Sequence, residues 1–256
     1  MLIKEEREMI CIIMADGKAK RMSGLSKKKQ LIEIDGEKII DRTVRQLRAL
    51  GIEPVIATHF EEFDYLDIKH IIPENNDHEI KKFNANKKYY QEEDEVLFVW
   101  GDTYFEDCDI TTIVKTPVEK YKFFGTEYEI FGFKIKKPYY YLIDEATDYI
   151  TSHTELDYGN TGTWGLLRFM GGHPLLKDET YIPHTTGVTS IHEPQKYIAE
   201  GLLYILPGNS IDNDGPWDLE ELCVRFPDAK VEELTFVDNE GVKRIFKDKK
   251  WRLYEQ

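Results

Sequence analysis

Cysteine is scarce. Cys11, Cys108 and Cys223 are the only three, and no two are spaced as a Cys-x-x-Cys pair. A disulfide framework and a thiolate zinc site are therefore not expected, and a cytoplasmic setting suits such usage. Long apolar runs are missing too: no stretch nears the roughly 18 residues that a membrane-spanning helix needs. The N-terminal segment MLIKEEREMI is charged and lacks a signal-peptide core, so neither membrane nor export is expected. Basic residues are in deficit, 34 Lys and Arg against 48 Asp and Glu, and the resulting net charge of −14 argues against nucleic acid as the main partner. The seven histidines show no HxxxH or HExxH spacing, and there is no G-x-S-x-G elbow, which disfavours a histidine metal centre and a serine-hydrolase site.

Against that acidic background, one basic cluster stands out. Residues 10–51 open with an apolar run, Ile10 to Met14, and enter a loop holding Gly17 with Lys18, Lys20, Arg21, Lys28 and Lys29. A buried strand feeding a basic loop is a phosphate-handling layout, and a local cluster in an acidic chain points to a particular anion. Ala15 to Met22 is not a Walker A motif, because the Gly-Lys-Ser/Thr ending is missing, and its single glycine, Gly17, excludes GxGxxG. A solvated basic loop is the plain alternative.

Strand and helix signals alternate through the first half. Strands are predicted at Met9–Met14, Leu31–Ile34, Pro54–Thr58, His70–Ile72 and Glu95–Trp100. A helix is predicted over Lys38–Leu50 from Ile39, Ile40, Val44, Leu47 and Leu50, with Gly51 as its stop, and weak helical character over 77–91. Such alternation implies a parallel sheet. Residues 117–143, rich in aromatic and β-branched side chains, read as antiparallel strands, with the Tyr139–Tyr141 run as strand packing. Residues 158–174 carry Gly159, Gly162, Gly165, Gly171 and Gly172 and read as a loop-rich zone. Helices are expected near Glu193–Leu203 and Trp217–Arg225, and strands or an arm over 231–254.

Two acidic motifs complete the set. Gly101-Asp102-Thr103 ends the strongest strand, where ligands bind in open α/β sheets, so Asp102 is either a turn cap or a holder of Mg²⁺. Asp212 and Asp214 alternate in Ile211-Asp212-Asn213-Asp214-Gly215-Pro216-Trp217-Asp218. On extended backbone they share a face and suit a divalent cation; a capped turn is the alternative.

Taken together, Met14-Ala15-Asp16-Gly17-Lys18-Ala19-Lys20-Arg21-Met22, Lys28-Lys29-Gln30-Leu31-Ile32-Glu33-Ile34-Asp35-Gly36-Glu37-Lys38-Ile39-Ile40, Gly101-Asp102 and Asp212 to Leu219 resemble, in order, four motifs of the nucleotidyltransferase superfamily with a GT-A-like fold. That group includes sugar-phosphate nucleotidylyltransferases, small-molecule cytidylyltransferases and molybdopterin guanylyltransferases. The chain departs from the family pattern at Asp16 and Ala19, where glycines are usual, and at Lys28, where proline is usual. The resemblance implies a Rossmann-like α/β fold with a mixed, mainly parallel sheet flanked by helices. It implies one nucleotidyltransferase domain over 1–256, with a divergent acceptor-binding middle (about 104–209) and a C-terminal arm (about 230–256).

The activity implied is Mg²⁺-dependent transfer of a nucleoside monophosphate from an NTP to a small phosphorylated acceptor, a sugar phosphate or phosphorylated alcohol. Met14, Ala15, Asp16, Gly17, Lys18, Arg21, Lys29, Gly101 and Asp102 would bind the nucleotide. Arg21 and Lys29 would be catalytic, Asp102, Asp214 and Asp212 would hold the metal, and residues 123–133 and 159–168 would wall the acceptor pocket. A GT-A glycosyltransferase using a nucleotide sugar, and a non-catalytic nucleotide-binding or partner-binding homologue, are the alternatives. The base, the acceptor and the oligomeric state, homo-oligomer included, stay open.

Overall fold

Alternation along the strands sets up the architecture: successive side chains point to opposite faces of a sheet. The computed structural model describes residues 9–17, 22–74, 80–153, 162–173, 175, 193–238 and 240–254. In chain order the strands are β1 (Ile10–Met14), β2 (Glu33–Ile34), β3 (Glu37–Lys38), β4 (Val55–Ala57), β5 (Lys69–Ile71), β6 (Glu95–Trp100), β7 (Thr103–Tyr104), β8 (Tyr121–Gly125), β9 (Ile130–Lys136), β10 (Leu203–Ile205), β11 (Ile211–Asp212), β12 (Leu234–Val237), β13 (Lys243–Lys247) and β14 (Lys250–Leu253). The helices are α1 (Ile39–Ala49), α2 (Lys81–Asn84), α3 (Lys87–Tyr90), α4 (Asp107–Lys115), α5 (Tyr141–Ser152), α6 (Thr163–Met170), α7 (Pro194–Ala199) and α8 (Asp218–Arg225). Among the described residues, no helix is long and apolar enough to cross a membrane.

Seven strands form the main sheet in the order β10-β8-β9-β6-β1-β4-β5. Only β9 runs against the others; β1 pairs parallel with β4 and β6, β4 with β5, and β10 with β8. The sheet is thus mixed and mainly parallel. Ile12, Val96 and Phe98 pack on one face with α3, α5, α6 and α7. Cys11, Ile13, Leu97 and Val99 pack on the other with α1 and α4. Three layers result, each helix covering its stripe of the sheet. The reversed strand β9 is held by rings in register: Phe133 lies opposite both Phe98 and Phe123, stacked at 6.0 Å and 4.4 Å between centroids.

Three expectations about local structure change. The Tyr139–Tyr141 run is not strand: Lys137–Tyr139 is a 3-10 turn with Pro138 in its first turn, leading into α5, and Tyr140 is buried against the Tyr90 ring. The glycine zone contains α6, because Leu166, Leu167 and Met170 form a buried helical stripe that outweighs the cost of Gly165, about 1 kcal/mol. Lys29–Leu31 is a 3-10 turn, so the strand predicted over 31–34 shrinks to β2.

A third apolar cluster lies apart from the main sheet. It joins Ile32 and Ile34 to Leu219 and Leu222 of α8 and to Leu234, Phe236, Phe246 and Trp251 of β12–β14. Strand β12 docks on residues 24–26: Val237 N–H donates to the Gly24 carbonyl at 2.9 Å, and Ser26 N–H to the Thr235 carbonyl at 2.9 Å. A Cβ on Gly24 would collide with the Val237 carbonyl oxygen. Gly24→Ala should therefore destabilise the protein by about 1–3 kcal/mol, the usual cost of overpacking, measured by chemical denaturation. An unchanged midpoint would show that the two segments do not approach so closely.

Candidate active site

The chain reverses its direction of travel across the sheet at β1. From β1 it proceeds to β4 and β5 on one side, then returns to place β6 on the other. Such a switch opens a crevice beyond the carboxyl ends of the two strands, the usual ligand position in an α/β sheet. Residues 15–17 leave β1 there, and Gly101-Asp102 leave β6 beside them, with Met14 opposite Trp100. The Gly101 N–H donates to the Met14 carbonyl at 3.0 Å. A Cβ at Gly101 would press on Ile13 and Ile40 at 3.2 Å and on Ala15 at 3.3 Å, so this glycine lets β6 turn tightly under β1 and α1.

The loop after β1 is only partly free for a ligand. The Ala15 N–H is committed to the Ala57 carbonyl at 3.1 Å. Asp16, the acidic departure from the family pattern, is buried and turned toward the end of β4. Its carboxylate accepts the His59 backbone N–H at 2.8 Å and lies 3.0 Å from His59 Nδ1. Lys82 of α2, unremarked in the sequence, brings its Nζ to 4.0 Å from where a Gly17 Cβ would lie. Lys18, Ala19, Lys20 and Arg21 lie outside the described residues. Lys28 turns away, with Nζ over the Phe60 ring at 3.4 Å and 3.8 Å from Glu62.

Asp102, Asp212 and Asp214 converge, although more than a hundred residues separate the first from the others. The cause is a two-residue antiparallel ribbon: β11 pairs with β7, setting Asp212 opposite Thr103. Asn213 fastens it, its backbone N–H and Nδ2 both reaching the Asp102 carbonyl, at 3.3 Å and 3.0 Å. One oxygen from each carboxylate falls within 4.8 Å of the others. Lys29 enters this group from the 3-10 turn: its Nζ pairs with Asp102 Oδ2 and lies 3.0 Å from Asp214 Oδ1.

Burial and charge pull against each other here. Burial alone would push the Lys29 ammonium down, yet Asp102, Asp212 and Asp214 together hold it above its ordinary range, so it stays charged. Asp212 is pushed well up, first by burial and then by repulsion from Asp102 and Asp214, against a partial offset from Lys29. Glu129, in the β8–β9 turn, joins the same field. Burial raises it to about 7, with Asp218 and Asp214 adding repulsion and Arg225 opposing. Two buried carboxylate oxygens, Asp212 Oδ1 and Glu129 Oε2, have no hydrogen-bond partner. Of the proposed acceptor walls, Phe123, Phe124, Phe131 and Phe133 are wholly buried in the core, which leaves Glu129 as the chemically distinctive residue of that segment. Residues 159–161 lie outside the described set, and 162–168 lead into and through most of α6.

A second acidic group has a different occupation. Asp109 accepts the Gly208 N–H at 2.7 Å, the Ser210 N–H at 3.2 Å and the Ser210 hydroxyl at 2.5 Å, while Glu106 accepts the Asn209 N–H at 2.8 Å. These bonds secure the segment that leads into β11.

Residues 11–114 match the profile of the MobA-like NTP transferase domain. Over this stretch the chain is similar to an NTP transferase domain. The stretch contains Lys29 and Asp102; Glu129, Asp212 and Asp214 lie beyond it. No curated relative matches the sequence. Among solved structures, a candidate glucose-1-phosphate thymidylyltransferase from Bacillus anthracis is 12% identical with a TM-score of 0.52, over 86% of this chain and 96% of that one. Rv0371c from Mycobacterium tuberculosis is 14% identical with a TM-score of 0.54, and HddC from Yersinia pseudotuberculosis 14% with 0.51, each over 84% of this chain and 98% of its own. At such identities the likeness is one of fold, and the GT-A-like nucleotidyltransferase fold expected from the sequence is the fold observed. The nucleotidyltransferase class stands on the profile match.

The raised Glu129 gives a pH signature. Its folded carboxyl holds a proton more tightly than the unfolded chain does, so ionising it costs stability as pH climbs from 4.5 to about 7. In chelator-containing buffer, Glu129→Gln should stabilise the protein at pH 8.5 by up to about 3 kcal/mol and change it little at pH 4.5. Equal effects at both pH values would remove Glu129 from this acidic field.

Proposed function

We propose that the protein transfers a nucleoside monophosphate from an NTP to a small phosphorylated acceptor, a sugar phosphate or phosphorylated alcohol, with release of pyrophosphate. An oxygen of the acceptor phosphate attacks the α-phosphorus in line, and the bond to the β-phosphate oxygen breaks. The nucleophile is already an anion, so no strong general base is needed; the protein's task is to bring two anions together and hold the charge that develops. The carrying observation is the convergence of Asp102, Asp212, Asp214 and Lys29 at the mouth of the β1–β6 crevice, inside and next to an NTP transferase domain.

The three aspartates fit a hard divalent cation. Their donors are all carboxylate oxygens, and the buried Asp212 Oδ1 has no hydrogen-bond partner. Bound there, Mg²⁺ would act as a Lewis acid toward phosphate oxygens. Lys29 supplies a desolvated point charge for the α-phosphate or the incoming phosphate. The sequence pattern gives the grip on the departing phosphates to Arg21, whose planar fork suits them, and counts Lys18 among the nucleotide-binding residues. Asp16 is directed to His59 rather than left facing an incoming anion, which reconciles an acidic residue with a phosphate loop. Met14, Gly17 and Gly101 contribute the backbone that borders the crevice. A single domain with an acceptor-binding middle and a C-terminal arm, working in the cytoplasm, is the organisation that the fold and composition support.

Release of pyrophosphate, assayed with each NTP in turn against a panel of sugar phosphates and phosphorylated alcohols in Mg²⁺, tests the proposal. One NTP should raise the melting temperature above the rest, since a ligand of the native state stabilises it by mass action. Asp102→Asn should keep the circular dichroism of the wild type and lose at least about a hundredfold in kcat, on the scale of losing one electrostatic partner at a reacting phosphate. Undiminished turnover in this variant would remove the acidic group from the mechanism, and no pyrophosphate from any combination would favour the non-catalytic alternative.

A further inference from the structure

Lys29 lies in a short segment whose two ends are held by one residue from the far end of the chain. Upstream, Lys27 Nζ sits 2.7 Å from both carboxylate oxygens of Glu232. Downstream, the Glu33 backbone N–H donates to Glu232 Oε1 at 2.7 Å, and the Glu232 N–H returns a bond to the Glu33 carbonyl at 3.1 Å. Between these anchors the chain makes the 3-10 turn Lys29–Leu31, with Gln30 buried. The same arm adds further ties on each side. Ser26 bonds Thr235, and Asp35 exchanges two bonds with Lys230: its N–H reaches the Lys230 carbonyl at 2.8 Å, and its carboxylate accepts the Lys230 N–H at 2.9 Å. The side chain of Glu232 is 24% exposed, so its bonds form partly out of water, where charge-assisted hydrogen bonds are strong.

We infer that Glu232 is a positioning residue for Lys29. Its carboxylate closes the 27–33 segment into a fixed loop and thereby sets the reach of the Lys29 ammonium into the phosphate site. Glu232 itself touches no group of the acidic cluster; it acts by removing the freedom of the segment that carries the lysine. A loop fixed at both ends delivers its charge without an ordering cost at the moment of binding, whereas one fixed at a single end must be ordered by the ligand. This inference rests on the nucleotidyl-transfer reading of the site.

The test uses inorganic tripolyphosphate with Mg²⁺ as a base-independent probe, with affinity measured calorimetrically on the full chain in a double-mutant cycle. Glu232→Ala should weaken binding about tenfold in the wild-type background and less than twofold in Lys29→Met, because the lysine through which it acts is gone. Glu232→Gln keeps an acceptor for the Glu33 amide but loses the pair with Lys27, and should fall between. Wild-type affinity in Glu232→Ala, or an equal loss in both backgrounds, would overturn the inference and leave Glu232 merely structural. Should Glu232→Ala fail to fold, Lys27→Met serves the same cycle, with a loss of about threefold expected only where Lys29 is present. Failure of the wild type to bind tripolyphosphate would instead overturn the phosphate reading of the site, and the inference with it.

Discussion

Three carboxylates forced within 4.8 Å of one another are the constraint around which this site is organised. At an effective dielectric near 20, each pair of unit charges about 5 Å apart repels by about 3 kcal/mol. A single ammonium at about 3 Å attracts each carboxylate it touches by about 5 kcal/mol on the same scale. Lys29 can therefore balance much of the repulsion, but it must be buried to do so, and burial works against its own charge. The raised Asp212 and the unpartnered Asp212 Oδ1 show that the balance is incomplete. A site left short of positive charge is a site that gains by taking up a cation. In the same way, the lysine held there is a charge that phosphate oxygens can share.

That cluster is assembled from segments far apart in sequence, and the fold explains how. The switch at β1 sets the ends of β1 and β6 side by side, which fixes Asp102 next to residues 15–17. The β7–β11 ribbon brings Asp212 and Asp214 in from the second half, and Asp109 ties down the strand's approach through Gly208 and Ser210. The C-terminal strands then fasten residues 24–35, including the turn that carries Lys29. Main sheet, ribbon and arm are each a separate answer to the same requirement, that like charges be held together rigidly enough not to drift apart.

Much of this was legible in the sequence where a signal is local. β1 and β6 are contiguous apolar runs with their loops immediately after them, and α1 has a clean 3.6-residue stripe ended by Gly51. Asp102, Asp212 and Asp214 could be singled out because each lies in a short local motif, Gly101-Asp102 and Asp212-Asn213-Asp214. What could not be read depends on partners remote in sequence. Asp16 looks misplaced until His59 is beside it, and Lys28 looks like a phosphate ligand until Phe60 and Glu62 draw it off. Glu129 sits in an ordinary hairpin turn, and only the antiparallel return of β9 carries it toward the acidic group. α4 and α5 went unseen for a different reason: their Thr- and Ile-rich turns have no strong preference, and packing on the sheet decides them.

The recognisable domain ends at residue 114, yet the site does not. Lys29 and Asp102 come from within it, while Asp212, Asp214, Glu129 and the anchor Glu232 come from the divergent remainder. Of the described acidic cluster, residues 11–114 supply only Asp102 and its partner Lys29, a simple ion pair. The surplus of negative charge that makes the site receptive is supplied by the second half. So are the bonds from Glu232 that tie Lys27 and Glu33 on either side of Lys29. The part of the chain outside the matched profile is thus the part that makes the crevice a charged, incompletely neutralised centre.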